Sequence, residues 1–248
     1  MKLEADLHIH TLACGHGYST VKEIAESAAQ VGLKMIAITE HGLAMPGAPH
    51  QYYFENLSRI PVDLFGVEIL KGVEANIINM HGCLDMPEGL LKRMDIVLAG
   101  FHAGTGMDGL SADEYTAAMI AAIRNPYVHV IVHPGNPEFP VDFDRVIMAG
   151  KERQKAFELN NSSLSASRLG SATRCSQFSR IIKKYNARVV INSDAHIFTE
   201  VGKCRNAINM AAINGLDESH VINTNIDRVK EYLYLHRQHL LDSAVLPA

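Results

Sequence analysis

Most of the apolar, strand-length runs in this chain end in a histidine or a carboxylate. Asp6-Leu7-His8-Ile9-His10 opens the series with His16 soon after, and Asp194-Ala195-His196 closes it near the other end. Side chains on a strand alternate between faces, so His8 and His10 point the same way while Leu7 and Ile9 are expected to face the other layer. An HxH alone is as readily a pair of hydrogen-bonded polar residues as a pair of metal ligands. Its recurrence at other strand ends is the constraint, because the fold must bring distant strand ends together.

Taken in order, the first strand covers about Ala5 to His10. It leads through a Cys14, Gly15, His16 loop to a helix capped by Ser19 or Thr20, running to about Val31 with Val21, Ile24, Ala25 and Ala28 at helical spacing. Met35 to Thr39 reads as a parallel strand buried on both faces and delivers Glu40 and His41. The long connection from Leu43 to about Pro61 carries His50, Tyr52, Tyr53 and Phe54; a loop of this length is expected to hold a short helix or wall a site, with His50 as a surface histidine. Ile69 to Ala75 forms a third strand with Glu74 near its end, where a carboxylate needs a cation or donors. Asp95 to Phe101 delivers His102, and a glycine-rich loop then leads to a helix from about Ser111 to Arg124. Val128 to Val132 delivers His133, with His129 left at the strand entrance in a structural role. Phe157 to Leu159 ends in Asn160-Asn161-Ser162-Ser163, and Val189 to Ile191 ends in Asn192-Ser193-Asp194-Ala195-His196. Two helices, about Glu200 to Asn214 and Ile226 to Leu241, close the chain.

Strand, polar exit loop and helix in repetition demand parallel strands with helical crossovers. The expected fold is therefore α/β, a single distorted (β/α) barrel of seven parallel strands occupying residues 1–248 as one domain. Closure gathers the C-terminal strand ends on one face, where barrel enzymes keep their sites. A 47% hydrophobic, 20% charged composition is that of an ordinary globular protein, with disorder expected only in the last few residues. The formal net charge of −4 disfavours a broad nucleic-acid surface and leaves room for a local basic pocket. Cys14, Cys83, Cys175 and Cys204 form no CxxC and read as buried thiols in a reducing compartment. No leader and no apolar run of membrane-spanning length is visible, so a cytoplasmic location is expected, with a homo-oligomeric state left open.

The strand-exit candidates are His8, His10, His16, His41, Glu74, His102, His133, Asp194 and His196. Nine donors exceed what one ion needs, since catalytic zinc uses three protein ligands, and they suit a cluster of two or three ions. An imidazole-rich set favours Zn, Mn or Fe over Mg or Ca.

The HxH, Thr39-Glu40-His41-Gly42, Gly72-Val73-Glu74-Ala75-Asn76, Gly100-Phe101-His102, His133-Pro134-Gly135-Asn136-Pro137 and Ser193-Asp194-Ala195-His196 together resemble the PHP (polymerase and histidinol phosphatase) superfamily. The likeness covers nearly the whole chain and is greatest to the stand-alone YcdX-type phosphatases, helped by Asn160-Asn161-Ser162-Ser163. It implies a distorted seven-stranded barrel with three divalent ions, zinc first and manganese or iron as alternatives. By motif, His8, His10, Glu74 and Asp194 would hold one ion, Glu74, His102 and His133 a second, and His16, His41 and His196 the third. Glu74 and Asp194 are the expected catalytic carboxylates. Glu40 departs from the aspartate this family commonly carries there, a change expected to bear on the orientation of His41.

Two carboxylates offset little of the roughly +6 carried by three divalent ions, so the pocket is expected to attract phosphate oxygens. Coordination also lowers the pKa of water toward neutrality and supplies hydroxide for in-line hydrolysis of a small phosphate ester. Arg168, downstream of the polar cluster, is the candidate bidentate phosphate contact. Three rival readings are weaker. An amidohydrolase commonly uses a carboxylated lysine on its fourth strand, and Val97 to Phe101 contains none. A nuclease is disfavoured by the missing basic stripe. A non-catalytic metal-stabilised module would need only a closed set of four ligands.

Overall fold

The structure, a computed structural model, describes residues 1–165 and 168–245. The elements in chain order are β1 (Ala5–Ile9), α1 (Val21–Gln30), β2 (Met35–Ile38), α2 (Gln51–Glu55), β3 (Asp63–Leu64), β4 (Val67–Asn76), α3 (Glu88–Leu91), β5 (Ile96–Gly100) and α4 (Ala112–Ile123). There follow β6 (Val130–Ile131), α5 (Phe143–Glu152), β7 (Ala156–Asn160), α6 (Ser171–Tyr185), β8 (Val189–Asn192), α7 (Arg205–Ile213) and α8 (Ile226–Val245). The final residues, where disorder was expected, lie outside the described residues.

Seven strands form a parallel sheet in the order β1-β2-β4-β5-β6-β7-β8, nearly closed into a barrel as the strand–helix repetition predicts. The two-residue β3, unforeseen in the sequence, adds an antiparallel hairpin to β4. At the closing seam β1 and β8 share little direct pairing. A bridge between Ile9 and Ala195 forms one end, and side chains stand in for the rest of the ladder. Leu7 N donates to Asn192 Oδ1 (2.9 Å), Ile191 N donates to Asn223 Oδ1 (3.0 Å), and Asn223 Nδ2 donates to both Ala5 O and Ile191 O. These fully buried asparagines satisfy backbone groups that an ordinary strand pair would satisfy.

Alternate strand residues sort into two layers. Met35, Ala37, Ile96, Leu98, Val130, Val132 and Val190 pack together with Val229 and Tyr232 of α8. Their neighbours, such as Val97, Ala99, Phe157 and Ile191, pack with residues of α4, α5 and α6. Tyr232 fixes α8 to the strand-entry end, accepting Ala156 N and donating to His129 O. His129 there accepts Val97 N at 3.0 Å, the structural role expected of it. Leu7 and Ile9 do not share a layer as strict alternation predicts: Leu7 joins the first set and Ile9 packs with Ile24 and Ala25 of α1. The β1–β2 register shifts between Asp6 and Ile9, so the pleat is broken within the HxH strand.

Helix boundaries follow their caps. Thr20 and Ser111 form capping boxes with Glu23 and Glu114. The helix expected from Glu200 is interrupted: a 3-10 turn spans Phe198–Glu200, Gly202 adopts φ +71, and α7 begins at Arg205. The 43–61 connection holds α2 and a 3-10 turn, with the exposed His50 capping α2. Cys14, Cys175 and Cys204 are buried, but Cys83 is exposed, contrary to expectation. Among the described residues no helix is long and apolar enough to cross a membrane.

Candidate metal centre

Glu74 enters the barrel from the C-terminal end of β4, with Val73 and Ala75 packed into the outer layer. Its Oε2 lies 2.8 Å from His41 Nδ1, 3.2 Å from His8 Nε2 and 3.3 Å from His10 Nε2. Its Oε1 lies 2.7 Å from His133 Nε2 and 3.1 Å from His102 Nε2. One carboxylate thus faces imidazoles from the ends of β1, β2, β5 and β6. Asp194 answers from beyond β8, with Oδ1 3.5 Å from both His8 Nε2 and His10 Nε2 and 3.7 Å from His196 Nδ1. The His10 ring stacks on those of His41 and His196, both at 4.3 Å between centroids. His16 completes the group, its Nε2 3.3 Å from His41 Nε2. All nine strand-exit candidates therefore meet. His16 is exposed and the remainder are buried or partly buried, so the cluster opens to solvent at that end.

The backbone is held in uncommon conformations to achieve this. His133 and Asp194 have φ +31 and +57, the left-handed region that non-glycine residues seldom occupy. Such residues cost on the order of 1–3 kcal/mol each and persist only where their surroundings fix them. His133 N donates to Glu158 Oε2 at 3.0 Å, and Gly100 leaves room for the ring, since a Cβ there would lie 2.9 Å from His133 Cε1.

Several polar atoms in the cluster have close neighbours yet no hydrogen bond: His10 Nδ1, His41 Nδ1, Glu74 Oε2, His102 Nε2 and His196 Nε2. An unsatisfied buried polar group costs on the order of 1–3 kcal/mol, so their concentration here requires a reason. Lone pairs that converge on common points, instead of pairing with each other, are arranged as ligands. Individual donor atoms of His8, His10 and Asp194 lie within 4.8 Å of one another, as do those of His41, Glu74 and His102 and those of His10, His41 and His196. An imidazole-rich donor set with these unpartnered atoms fits divalent transition metals.

Charge is divided unevenly. Burial opposes protonation of His8, but Glu74, Glu158 and Asp194 outweigh it and hold its pKa well above the ordinary value. His10 is likewise raised against burial by its neighbours Asp194, Cys14 and Glu74. Burial, then the charge of His10, depresses His41 well below the ordinary value and His196 to about 4. Burial followed by Arg168 brings His133 to about 4. Burial works against the charge of Glu74 and Asp194, yet the surrounding cationic groups, His8 foremost, hold both carboxyl groups well below the usual range. His41, His133, His196 and the two carboxylates are thus held in the forms that ligate metals, while the protons on His8 and His10 occupy positions that a cation would take over.

Arg168, the candidate phosphate contact, lies at the edge of the cluster. Its Nη1 donates to Asp194 Oδ2 (3.1 Å), Ser163 Oγ (3.1 Å) and Asn160 Oδ1 (3.4 Å). Glu40 does not contact His41 in the way its position suggests: it accepts from Thr11 and Tyr53 and lies 3.9 Å from His10 Nδ1. Glu158 was not foreseen. It is fully buried, accepts His8 Nδ1 at 2.8 Å, and also receives His133 N, Asn160 Nδ2 and Asn192 Nδ2. Its signal was a lone carboxylate in the apolar run Ala156-Phe157-Glu158-Leu159, on the same strand face as Asn160. Asn76 acts comparably, with Oδ1 2.7 Å from His102 Nδ1, and is held by Asp85.

The sequence profile of the PHP domain matches residues 6–189. A probable phosphatase of Acetivibrio thermocellus is 47% identical over 233 residues, covering 94% of this chain and 96% of that one. Another, from Thermoanaerobacter sp. (strain X514), is 45% identical over 94% of this chain and 95% of its own. In fold, the chain resembles a histidinol phosphate phosphatase of Lactococcus lactis, solved with zinc, L-histidinol and phosphate, at TM-score 0.63 and 15% identity, covering 88% of this chain and 95% of the other. The motifs at the strand ends, the barrel that gathers them and these matches lead to one assignment: the chain belongs to the PHP domain family.

Proposed function

We propose that this protein is a metal-dependent phosphatase that hydrolyses a small phosphate monoester at a centre of three divalent ions, zinc first among the candidates. The observation that carries the reading is the convergence of nine donor side chains, Glu74 central among them, with unpartnered buried atoms in the group. The near-full-length likeness to probable phosphatases supports it. His8, His10, Glu74 and Asp194 are assigned to one ion, Glu74, His102 and His133 to a second, and His16, His41 and His196 to the third. When bound, the ions lower the pKa of water and stabilise charge developing on phosphorus.

The chain's own residues do the rest. Glu74 offers its two oxygens to different sets of imidazoles and thereby fixes their spacing. Asp194 pairs with Arg168, which is held at the edge of the cluster where a phosphate oxygen can take a guanidinium N–H. Asn160 and Ser163 steady that arginine. The open end at His16 admits solvent and substrate, while α8 and the apolar barrel interior close the opposite end.

The test is elemental analysis of protein purified without chelator, coupled to hydrolysis of a nitrophenyl phosphate monoester. Close to three equivalents, and activity lost on chelation and restored by metal, are expected; a reproducible single equivalent would overturn the three-ion reading. Glu74→Gln should lower metal content and turnover together, because it keeps the shape and removes the charge. Full activity with normal metal content in that variant would remove Glu74 from the site.

A further inference from the structure

We propose that Cys14 is a tenth donor of the centre, a thiolate that joins His16 and His196 in holding the outermost ion and accepts the Nδ1–H of His10. This rests on the metal-centre reading above and extends it to a residue that none of the nine-donor motifs contains.

Two independent observations meet at this thiol. The first is position. Cys14 is fully buried in the loop after β1, and its Sγ lies within 4.8 Å of one donor atom each of His16 and His196. It also lies within the same distance of donor atoms of His10 and Glu40. The sulfur therefore stands between the inner histidine of the HxH and the outer pair that faces solvent. The loop is built closely around it: Gly15 turns with φ +79, and a Cβ at Gly17 would come 3.2 Å from Sγ and still closer to Thr11 O.

The second is an unpartnered nitrogen. A ligating imidazole presents one nitrogen to the metal and its other N–H to an acceptor, which fixes tautomer and ring orientation. His8 gives Nδ1 to Glu158, His102 to Asn76 Oδ1 and His196 to Asp194 O. His10 turns Nε2 toward Glu74 and Asp194, yet its Nδ1, in a side chain with no exposed surface, has no hydrogen-bond partner. Glu40 Oε2, 3.9 Å away, is too far and is engaged by Thr11 N. A thiol cannot serve both as a metal ligand and as a donor to that nitrogen. A thiolate can bind an ion on one side and accept Nδ1–H on the other, which leaves Nε2 free to ligate. The proton released from sulfur passes to solvent on metal binding.

A soft sulfur donor has chemical consequences. It selects zinc or iron over manganese and magnesium at that position. It also places an oxidisable group in the shell of the ion nearest solvent.

Cobalt(II) is the probe. It replaces zinc in nitrogen, oxygen and sulfur sites, and a thiolate ligand adds a sulfur-to-cobalt charge-transfer band in the near ultraviolet to the visible bands of the bound ion. The cobalt-exchanged wild type should show that band, and Cys14→Ser should lose it while keeping the visible bands of the remaining ions. The outermost ion of Cys14→Ser should pass to a chelator at about tenfold lower chelator concentration or less. A measurement on wild type alone guards against misfolding of the variant: zinc X-ray absorption of the zinc-loaded protein should show a sulfur scatterer at about 2.3 Å, and a shell of nitrogen and oxygen alone would overturn the role of Cys14. Visible bands without the charge-transfer band, or retention of that band in Cys14→Ser, would overturn the role of Cys14 and leave the metal centre intact. Absence of any cobalt band would overturn both.

Discussion

His8 gives Nδ1 to Glu158 at 2.8 Å, which leaves Nε2 as the nitrogen facing Glu74 and Asp194. Glu158 receives three further donors, from His133, Asn160 and Asn192, so its carboxylate ties β1, the exit of β6, β7 and β8 beneath the donor cluster. In Glu158→Gln one oxygen becomes an amide that faces donors. Metal affinity should fall by about 10- to 100-fold, as measured by chelator competition. An affinity within twofold of wild type would show that His8 needs no such partner.

Arg168 distinguishes monoester from diester chemistry. A monoester dianion offers more charge and more non-bridging oxygens to a guanidinium than a diester does. Arg168→Ala should lower kcat/KM for a nitrophenyl monoester by about 10- to 100-fold. Metal content should hold, because Asp194 Oδ2 retains Asn160 Nδ2 at 3.1 Å. Equal or better diester hydrolysis by wild type would remove the monoesterase assignment; an unchanged preference in the variant would remove only the role of Arg168.

Asn223 joins both sides of the seam between β1 and β8. Asn223 bonds Ile191 N, Ile191 O and Ala5 O from a fully buried position. Asn223→Ala leaves those groups without partners and should destabilise the fold by about 2–4 kcal/mol in urea unfolding. A loss under 0.5 kcal/mol would mean that the seam closes without it.

Lys155, almost fully buried, has its pKa pushed by burial down to about 8. Below pH 8 the folded and unfolded states both hold the proton. Between about pH 8 and the unfolded value near 10.4 the unfolded state binds more, so this group adds stability as pH rises. Lys155→Met removes the titration. The stability of wild type relative to that variant should therefore increase by about 2 kcal/mol from pH 8 to pH 10. A flat difference would show that the ammonium is not held in low dielectric.

The meeting of the nine strand-exit residues was legible because strand period and strand end coincide: each apolar run names its own exit residue, and parallel strands carry every exit to one face. Glu158 and Asn76 were harder to read, since their roles depend on which histidine nitrogen they meet across the barrel, a relation that no local spacing encodes. A different reason hid α6: its buried Cys175, Phe178, Ser179 and Ile182 keep helical spacing but include two weakly apolar members, so the apolar stripe is faint. The strand expected over Val128–Val132 shrinks to Val130–Ile131: Val128 N turns back to Asn125 O, while Val132 N still reaches Ala99 O of β5 just before the chain turns at His133. Glu40 was read by adjacency to His41, and the pleat sends it toward His10 instead.

Leu7 and Asn192, which meet across the seam, are 185 positions apart in sequence. Joining them carries a loop-closure entropy that the earlier strand pairs do not, so this contact belongs late in folding. His8 and Asp194 become neighbours only at that step. A chain still open at the seam holds Glu74, His102 and His133 together but neither of the two groups that need β1 or the segment after β8, and an ion that binds only the closed form adds stability in proportion to the logarithm of its free concentration. Divalent metal would then slow the opening of β1 from β8 specifically, visible as metal-dependent hydrogen-exchange protection at the amides of Leu7 and Ile191 beyond that of strands far from the seam.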